Sequence, residues 1–93
     1  MLITFDPDKD AINQSKHGIS LVQAHNMEWD YLISKVDDSM DYGEIRMKGF
    51  VPIGQKLYCV IYTDRAGDER RIISLRTADN RERRDYVRFF SAS

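Results

Sequence analysis

Two runs rich in β-branched and aromatic side chains, residues 56–63 and 69–77, constrain this sequence more than any other feature. Runs of that composition favour β-strands, and the five residues between them, DRAGD, contain a glycine, as short hairpin connections often do. Residues 31–36 and 44–53 have the same strand-like character. The four successive runs together predict an antiparallel meander.

The start of the chain carries the signals of a short strand followed by a helix. Residues 2–5 are mostly apolar, and Asp6 then precedes Pro7. Aspartate is a common N-cap, and proline is well tolerated in the first turn, where its missing N–H costs nothing. Gly18 favours the left-handed conformation that ends many helices. The sequence therefore predicts a strand over residues 2–5 and a helix over Pro7–His17.

Two further helices are predicted from their capping residues. Ser20 is a suitable N-cap for a second helix over residues 21–27. Asp79 and Glu82 have the spacing of a capping box, and the helix that they open is predicted to end near Phe90. Between the first two strands of the meander, residues 37–43 predict a polar connection ending at a glycine.

In chain order these elements predict an α+β fold: an N-terminal strand and two helices, an antiparallel four-stranded meander and a C-terminal helix, with the helices on one side of the sheet. The 93 residues are enough for one modest core, so we predict a single domain over residues 1–93. The one cysteine, Cys59, excludes an internal disulfide framework and is interpreted as a small buried hydrophobe. There is no secretory pattern or membrane-spanning apolar run, so a cytoplasmic location is expected.

The formal net charge of −1 conceals an uneven distribution of charge. Residues 1–42 hold eight acidic and three basic side chains, whereas residues 70–93 hold seven arginines and three acidic side chains. A basic end of this kind suits an anionic partner. It would equally suit a second copy of the chain or an acidic protein.

Strand alternation predicts which of these arginines lie on an accessible face. Successive side chains of a strand point to opposite faces of the sheet. The odd-numbered side chains of the last strand are mostly apolar and are predicted to pack under the helices: Arg71, Ile73 and Leu75. The even-numbered side chains are predicted to lie on the open face: Arg70, Ile72, Ser74 and Arg76. A hydroxyl flanked by guanidinium groups on an open face is a candidate phosphate site.

Other chemistries have little support in the sequence. His17, His25 and Cys59 lack the spacing of zinc ligands. A phosphate-binding glycine loop and a G-x-S-x-G nucleophile motif are both missing. The candidate groups that remain are lysine, histidine, arginine and serine, which bind phosphate and stabilise an anionic transition state. The sequence therefore predicts neither a metal nor an organic cofactor.

Two long motifs resemble those of one known family, the BrnT toxins. The first, FDPDKDAINQSKHGIS, matches the family pattern at Asp6, Lys9, Asn13, Lys16, His17, Gly18, Ile19 and Ser20. The second, RIISLRTADNRERRDY, matches it at Arg71, Ile72, Ile73, Ser74, Arg76, Ala78, Glu82, Arg83 and Tyr86. Between them, Arg46 falls at the family's usual distance before the strand end YTDR. The resemblance covers residues 4–87 and departs from the pattern over residues 47–54.

The resemblance implies a RelE-like microbial ribonuclease fold and a toxin that cleaves RNA and thereby halts translation. It also implies neutralisation by a ribbon-helix-helix antitoxin of the BrnA type. The complex of toxin and antitoxin would repress its own operon. Because the first half of this chain is acidic, we expect operator DNA to bind only through the antitoxin complex.

Ten residues make up the predicted site. Five are assigned to catalysis: Arg76, Arg46, His17, Lys16 and Glu82. Five are assigned to binding RNA or its phosphates: Arg70, Arg71, Ser74, Arg83 and Tyr86. In the predicted mechanism a base removes the proton of a ribose 2′-OH, the oxygen attacks the adjacent phosphorus, and an acid protonates the leaving 5′-oxygen. Arginines stabilise the phosphoryl oxygens, His17 or Lys16 transfers the protons, and no metal is needed.

Several of these residues also have a purely structural interpretation. Lys16 and His17 end a helix, where a cation interacts favourably with the helix dipole. Glu82 is most simply the capping-box partner of Asp79, although its carboxylate could also orient an arginine. Tyr86 is expected to belong to the core, with its hydroxyl at the rim. The alternative for the whole chain is a binding module without activity, whose basic C-terminal part docks a protein or DNA.

Overall fold

The computed structural model of the protein describes residues 1–38, 41 and 43–91. Its helices and strands are β1 (Leu2–Phe5), α1 (Pro7–His17), a first 3₁₀ helix (Leu21–Asn26), a second 3₁₀ helix (Trp29–Tyr31), β2 (Ile33–Asp37), β3 (Arg46–Ile53), β4 (Lys56–Arg65), β5 (Glu69–Thr77) and α2 (Asn80–Ser91). The order of elements is the predicted one, with one short 3₁₀ helix added. The predicted connection over residues 37–43 includes residues 39, 40 and 42, which lie outside the described residues.

The element predicted as a helix over residues 21–27 is a 3₁₀ helix rather than an α-helix. Its hydrogen bonds link residues three apart, and the last of them runs from the N–H of Met27 to the carbonyl of Ala24. The next N–H, that of Glu28, donates to the carbonyl of Pro52 on β3 at 3.0 Å. The chain therefore joins the sheet before an α-helix can develop.

The predicted helix caps are confirmed. The carboxylate of Asp6 accepts a hydrogen bond from the N–H of Asp8 at 2.8 Å. Gly18 ends α1 in the left-handed conformation, with φ of 70°. At α2 the N–H of Glu82 donates to Asp79 at 2.8 Å, and the Glu82 carboxylate accepts from the N–H of Asp79 at 2.9 Å. This reciprocal pair is a capping box, as the spacing predicted.

The strands form a five-stranded mixed sheet in the order β1-β5-β4-β3-β2. Strands β2 to β5 are the predicted antiparallel meander. β1 adds to its β5 edge in parallel orientation, with Leu2 opposite Glu69 and Phe5 opposite Ile72. β1 ends there, so the second half of β5 is not covered by that strand.

A β-bulge in β5 changes the orientation of half of that strand. Ile61 of β4 lies opposite Ser74, whereas the next residue, Tyr62, lies opposite Ile72. β5 therefore contains one extra residue, Ile73, at this point. Side chains on the two sides of the bulge no longer follow a single odd–even rule, because a shift of one residue exchanges the two faces.

The two faces of the sheet consequently differ from those predicted by alternation. One face, which we call the core face, carries Val60, Tyr62, Arg70, Ile72 and Leu75. The opposite face, which we call the outer face, carries Cys59, Ile61, Arg71, Ser74 and Arg76. Ser74 and Arg76 share a face, as predicted. The predictions that Arg70 and Ile72 lie beside them, and that Arg71 packs with Leu75, are wrong because the bulge separates the two halves of β5.

The core lies between the core face and the first 3₁₀ helix. Its buried residues are Leu21, Ala24, Met27, Val51, Val60, Tyr62, Ile72 and Leu75. Full burial of a side chain such as Leu21 stabilises the fold by about 1.5–3 kcal/mol. A Cβ at Gly49 would lie 2.6 Å from Cδ1 of Leu32, so a larger residue there would force the Leu32 side chain to move.

The C-terminal helix α2 lies over the outer face, so the prediction that the helices share one side of the sheet is wrong. After β5, the N–H of Ala78 donates to the carbonyl of Leu57 at 3.0 Å, and the chain then turns onto the outer face. There Glu82, in the first turn of α2, forms an ion pair with Arg76. α2 buries none of its own residues, which leaves a groove between the helix and the sheet.

Candidate active site on the outer face

The position of α1 beside the outer face is fixed by the side chain of Asn13. Its amide nitrogen donates to the carbonyl of Leu75 at 2.8 Å, and its amide oxygen accepts from the N–H of Leu75 at 3.0 Å. The same nitrogen donates to the carbonyl of Ile19 at 2.8 Å. Asn13 thus replaces a neighbouring strand at the part of β5 that β1 does not cover, and it is buried, as a fully satisfied amide can be.

A cavity of about 280 Å³ lies between α1 and the outer face. The residues that line it are Lys9, Ile12, Asn13, Lys16, His17, Asp37, Arg46, Ile61, Ile73 and Ser74. Four of the ten predicted site residues are among them: Lys16, His17, Arg46 and Ser74. Residues that are far apart in the sequence therefore meet in one cavity that is rich in cations.

Arg46 closes the end of this cavity at strands β2 and β3. It lies opposite Asp37 in the register of these strands, and its Nε is 3.5 Å from a carboxylate oxygen of Glu44. Its side chain is 20% exposed, so the guanidinium is sheltered although it borders the cavity. A sheltered guanidinium can bind a phosphate oxygen with less competition from water than an exposed one.

Arg76 lies on the outer face next to the cavity and is held by Glu82. Its two terminal nitrogens donate to the two oxygens of the Glu82 carboxylate at 2.8 and 2.9 Å. One of those oxygens also accepts the N–H of Asp79 in the capping box. Both structural roles considered for Glu82, the capping of α2 and the orientation of an arginine, are therefore confirmed.

The geometry of this pair fixes the charge of both partners. Hydrogen bonds from Arg76 lower the pKa of Glu82 to about 2, and the bond to Glu82 raises the pKa of Arg76 above its already high ordinary value. Glu82 is consequently ionised throughout the neutral range. A carboxylate with so low a pKa transfers protons poorly near neutral pH, so its chemistry favours positioning over proton transfer.

Arg70 lies on the core face, away from the cavity. Its guanidinium donates to both oxygens of Asp64 at 2.7 and 2.9 Å. Its Cζ atom is 4.9 Å from the ring centroid of Trp29 and 4.3 Å from that of Tyr62. The hydrogen bond to Asp64 raises the pKa of Arg70. These contacts build Arg70 into the edge of the core.

Two other predicted phosphate ligands lie in different places. Arg71 is on the outer face, opposite Thr63 of β4. Arg83 donates to the side-chain oxygen of Asn80 in the first turn of α2. It lines a shallow depression on α2 itself, together with Arg84 and other residues of that helix. The structure therefore brings Arg71, but not Arg83, to the face that carries the cavity.

Tyr86 fastens the middle of α2 to the second 3₁₀ helix. Its hydroxyl donates to the carbonyl of Tyr31 at 2.6 Å. The rings of Tyr31 and Tyr86 both contact Phe90 edge to face, and their centroids lie 6.5 and 5.1 Å, respectively, from that of the Phe90 ring. Burial raises the pKa of Tyr86. The expectation of a buried ring with its hydroxyl bonded at the rim is met only in part, since the ring lines the groove.

Three charged residues near the cavity were not singled out for a role by the sequence. Lys9 and Asp37 line the cavity, and Lys48 lies opposite Ile61 on the outer face. Lys9 precedes Lys16 by seven residues, or two helical turns, so helical periodicity places both on one side of α1. Lys48 is two residues from Arg46 in one strand, and that spacing also indicates a shared face.

Metal-ligand groups and membrane spans are absent from the part of the chain that the structure describes. Among residues 1–38, 41 and 43–91, no three His, Cys, Asp or Glu side chains form a group able to hold a metal ion. In the same residues no helix is both long and apolar enough to cross a membrane. Cys59 is buried, as interpreted from the sequence, and burial raises the pKa of its thiol.

Comparison with known families gives the class of the protein. Residues 5–82 match the family described as "Ribonuclease toxin, BrnT, of type II toxin-antitoxin system". The match spans the cavity residues and ends at Glu82. The chain is therefore a member of a family of ribonuclease toxins from type II toxin–antitoxin systems. That family is BrnT, and the resemblance seen in the two sequence motifs is confirmed.

A solved structure supports the same fold. The crystal structure of the Brucella abortus ribonuclease toxin BrnT matches this chain with a TM-score of 0.63 and 22% sequence identity. The match covers 86% of this chain and 99% of the Brucella chain. At this identity the comparison establishes a shared α+β fold. No curated protein is similar enough in sequence to count as a relative.

Proposed function

We propose that this protein is a metal-independent endoribonuclease that cleaves RNA by attack of a ribose 2′-OH on the adjacent phosphorus, and so inhibits translation. The observation that carries the proposal is the cavity in which Lys16, His17, Arg46 and Ser74 meet beside Arg76. A set of cations with one imidazole can stabilise the phosphoryl oxygens and move protons without a bound metal.

The positions of the cavity residues suggest their roles. Arg46 and Arg76 bind the scissile phosphate from two sides. Ser74, which lines the cavity and lies on the same strand as Arg76, positions the phosphate through its hydroxyl. His17 and Lys16, at the end of α1, transfer the protons, because imidazole both accepts and donates a proton near neutral pH. Each well-placed acid or base accelerates such a reaction by about 10²–10⁴-fold.

The remaining predicted residues are given supporting roles. Glu82 acts as a positioning residue through its two hydrogen bonds to Arg76. Arg70 stabilises the fold, because it pairs with Asp64 on the core face. Arg71, on the outer face, contacts a phosphate further along the RNA. Arg83 and Tyr86 stabilise α2 through their hydrogen bonds to Asn80 and Tyr31.

The biological setting follows from the family and the chemistry. A ribonuclease made in its own host requires neutralisation, so we propose a cognate antitoxin of the ribbon-helix-helix type that masks the cavity and Arg76. Operator DNA binds through that antitoxin. We also propose that the fold has the RelE-like arrangement. A cytoplasmic location accords with a substrate that is cellular RNA.

The proposal is tested by incubating the purified protein with single-stranded RNA in EDTA and identifying the fragment ends. We expect a 5′-hydroxyl and a 2′,3′-cyclic phosphate, or the monophosphate formed by its hydrolysis. A deoxyribose at a cleaved position should prevent that cut while leaving binding nearly intact, since phosphate contacts dominate affinity. Fragments with 5′-phosphates, or cleavage lost in EDTA, would mean a metal-activated water nucleophile.

A matched pair of histidine variants separates chemistry from folding. His17→Gln should slow cleavage by about 10²-fold or more, as expected for loss of an acid or base. His25 is exposed on the first 3₁₀ helix and does not line the cavity, so His25→Gln should cleave like the unmodified protein. Equal activity of the two variants would leave the proton transfer to Lys16 alone.

A further inference from the structure

A second and larger cavity, of about 530 Å³, lies on the outer face between α2 and the strands β2 and β3. It forms where α2, which buries none of its residues, lies over these strands. Glu82 binds Arg76, and one turn later Tyr86 binds the carbonyl of Tyr31. Between these ties and the strands, the helix stands away from the sheet and leaves an open groove.

The floor of the groove is continuous with the proposed phosphate site. Phe50 on β3 lies opposite Cys59, which lies opposite Arg76 on β5. One step along the strands, Lys48 lies opposite Ile61, and Ile61 lines the smaller cavity. Neighbouring strands are about 4.8 Å apart, so Phe50 is roughly 10 Å from Arg76 across the sheet. A ligand bound at Arg76 thus reaches the groove directly.

The lining of the groove combines aromatic surfaces with charged groups. Phe50 forms part of the floor, and Tyr86 and Phe89 belong to the α2 wall. Lys48 adds an ammonium group, and Asp85 adds a carboxylate that is 62% exposed and has one oxygen 3.9 Å from a terminal nitrogen of Arg88. Aromatic rings stack on the flat faces of nucleobases, and a carboxylate accepts hydrogen bonds from the N–H groups at a base edge.

We infer that this groove binds one nucleobase of the RNA whose phosphate lies at Arg76 and in the smaller cavity. The inference rests on the proposed function and extends it to a base-binding subsite. The base stacks on Phe50, Phe89 covers it from α2, and Asp85 accepts a hydrogen bond from its edge. The volume leaves room for a base but argues against a docked helix, because a protein helix about 10 Å wide takes up roughly 400 Å³ for each turn. A groove of about 530 Å³ would hold little more than one such turn.

The test measures binding, so that it does not depend on cleavage. A short fluorescent oligoribonucleotide with 2′-O-methyl riboses resists the proposed reaction, and abasic residues are placed at each position in turn. We expect one abasic position to weaken binding to the unmodified protein about tenfold, in keeping with the loss of one base–aromatic stack. In Phe50→Leu and Phe89→Leu proteins the same abasic position should weaken binding twofold or less, because the aromatic ring that stacks on the base is already missing.

Phe90→Leu is the matched control, because Phe90 is an aromatic residue of the same helix that does not line the groove. This variant should keep the full tenfold loss at the abasic position. Equal abasic losses in the unmodified and both groove variants would overturn the inference while leaving the proposed function intact. If the groove docked a protein instead of a base, the groove variants would likewise leave the abasic loss unchanged. Failure to bind any of the oligonucleotides would overturn the proposed function and the inference together.

Discussion

Two arginines of β5 each form a bidentate pair with a carboxylate, but the two pairs have opposite surroundings. Arg70 binds Asp64, and Arg76 binds Glu82, each through two hydrogen bonds of 2.7–2.9 Å. In the first pair the arginine side chain is 16% exposed and the carboxylate 53%. In the second pair the exposures are reversed, at 35% for the arginine and 16% for the carboxylate.

The difference shows which member of each pair is available to a ligand. Arg70 points inward over Trp29 and Tyr62 and turns its carboxylate partner to the solvent. Arg76 has a sheltered carboxylate behind it and turns its own guanidinium towards the outer face. The first pair therefore stabilises the fold, and the second presents a cation held in a fixed orientation.

The largest expected effect is a loss of RNA cleavage when Arg76 of the second pair is replaced. Arg76→Lys keeps a positive charge but loses the planar fork that binds a phosphate and Glu82 together. We expect cleavage of single-stranded RNA to fall by about 10²–10³-fold, the cost of losing one electrostatic stabiliser of the transition state. Urea unfolding should show a loss of at most about 1 kcal/mol. Full activity in Arg76→Lys would remove Arg76 from the site.

The matching change in the first pair should act on stability instead. Arg70→Ala removes a bidentate ion pair and the contacts with two aromatic rings, so we expect a loss of about 2 kcal/mol in the free energy of unfolding. For a domain of this size that lowers Tm by roughly 10 °C, which thermal denaturation would detect. The cleavage rate of the folded variant should be unchanged. A variant that keeps its Tm and loses cleavage would mean that Arg70 binds RNA after all.

The smallest expected effect is on the pH dependence of the stability that the second pair contributes. The pKa of Glu82 is lowered to about 2 in the folded protein, against an ordinary value of 4.5. Its contribution to stability is therefore complete above pH 4.5 and is lost as the pH falls towards 2, because the unfolded chain takes up the proton first. Glu82→Gln should be less stable at pH 7 by about 1 kcal/mol or less, with the difference vanishing near pH 2.

Urea unfolding of both proteins from pH 7 to pH 2 would follow this difference. A gap that stayed constant down to pH 2 would show that the carboxylate charge contributes nothing. In that case the orientation of Arg76 would have to depend on other contacts.

Much of the fold could be predicted because its signals are local. The caps at Asp6, Gly18 and Asp79 each act within one turn, so the limits of the helices follow from neighbouring residues. The bulge at Ile73 has no such signal, since Ile72 and Ile73 are both β-branched and either can pack in a core. Its position is set by pairing with β4, and that pairing assigns every side chain of β5 to a face.

The site was predictable to the extent that its residues share an element. Lys16 and His17 are neighbours on α1, and Ser74 and Arg76 lie on the same side of the bulge. Whether these two groups meet depends on where α1 docks, which strand and helix periodicity do not reveal. Arg83 was assigned to phosphate binding from its motif, but the side of α2 on which it lies is set by the docking of that helix.

The docking of α1 through Asn13 also determines when the site can exist. The amide bonds to Leu75 join residues that are 62 positions apart, and β1 pairs with β5 at the edge of the sheet. Until β5 has been synthesised, the N-terminal strand and helix have no sheet edge to join. Because a ribosome adds only about 5–20 residues each second, the emerging chain spends seconds without an assembled cavity. The cavity therefore forms only after β5 has been synthesised, and the shorter polypeptide before that point lacks the proposed site.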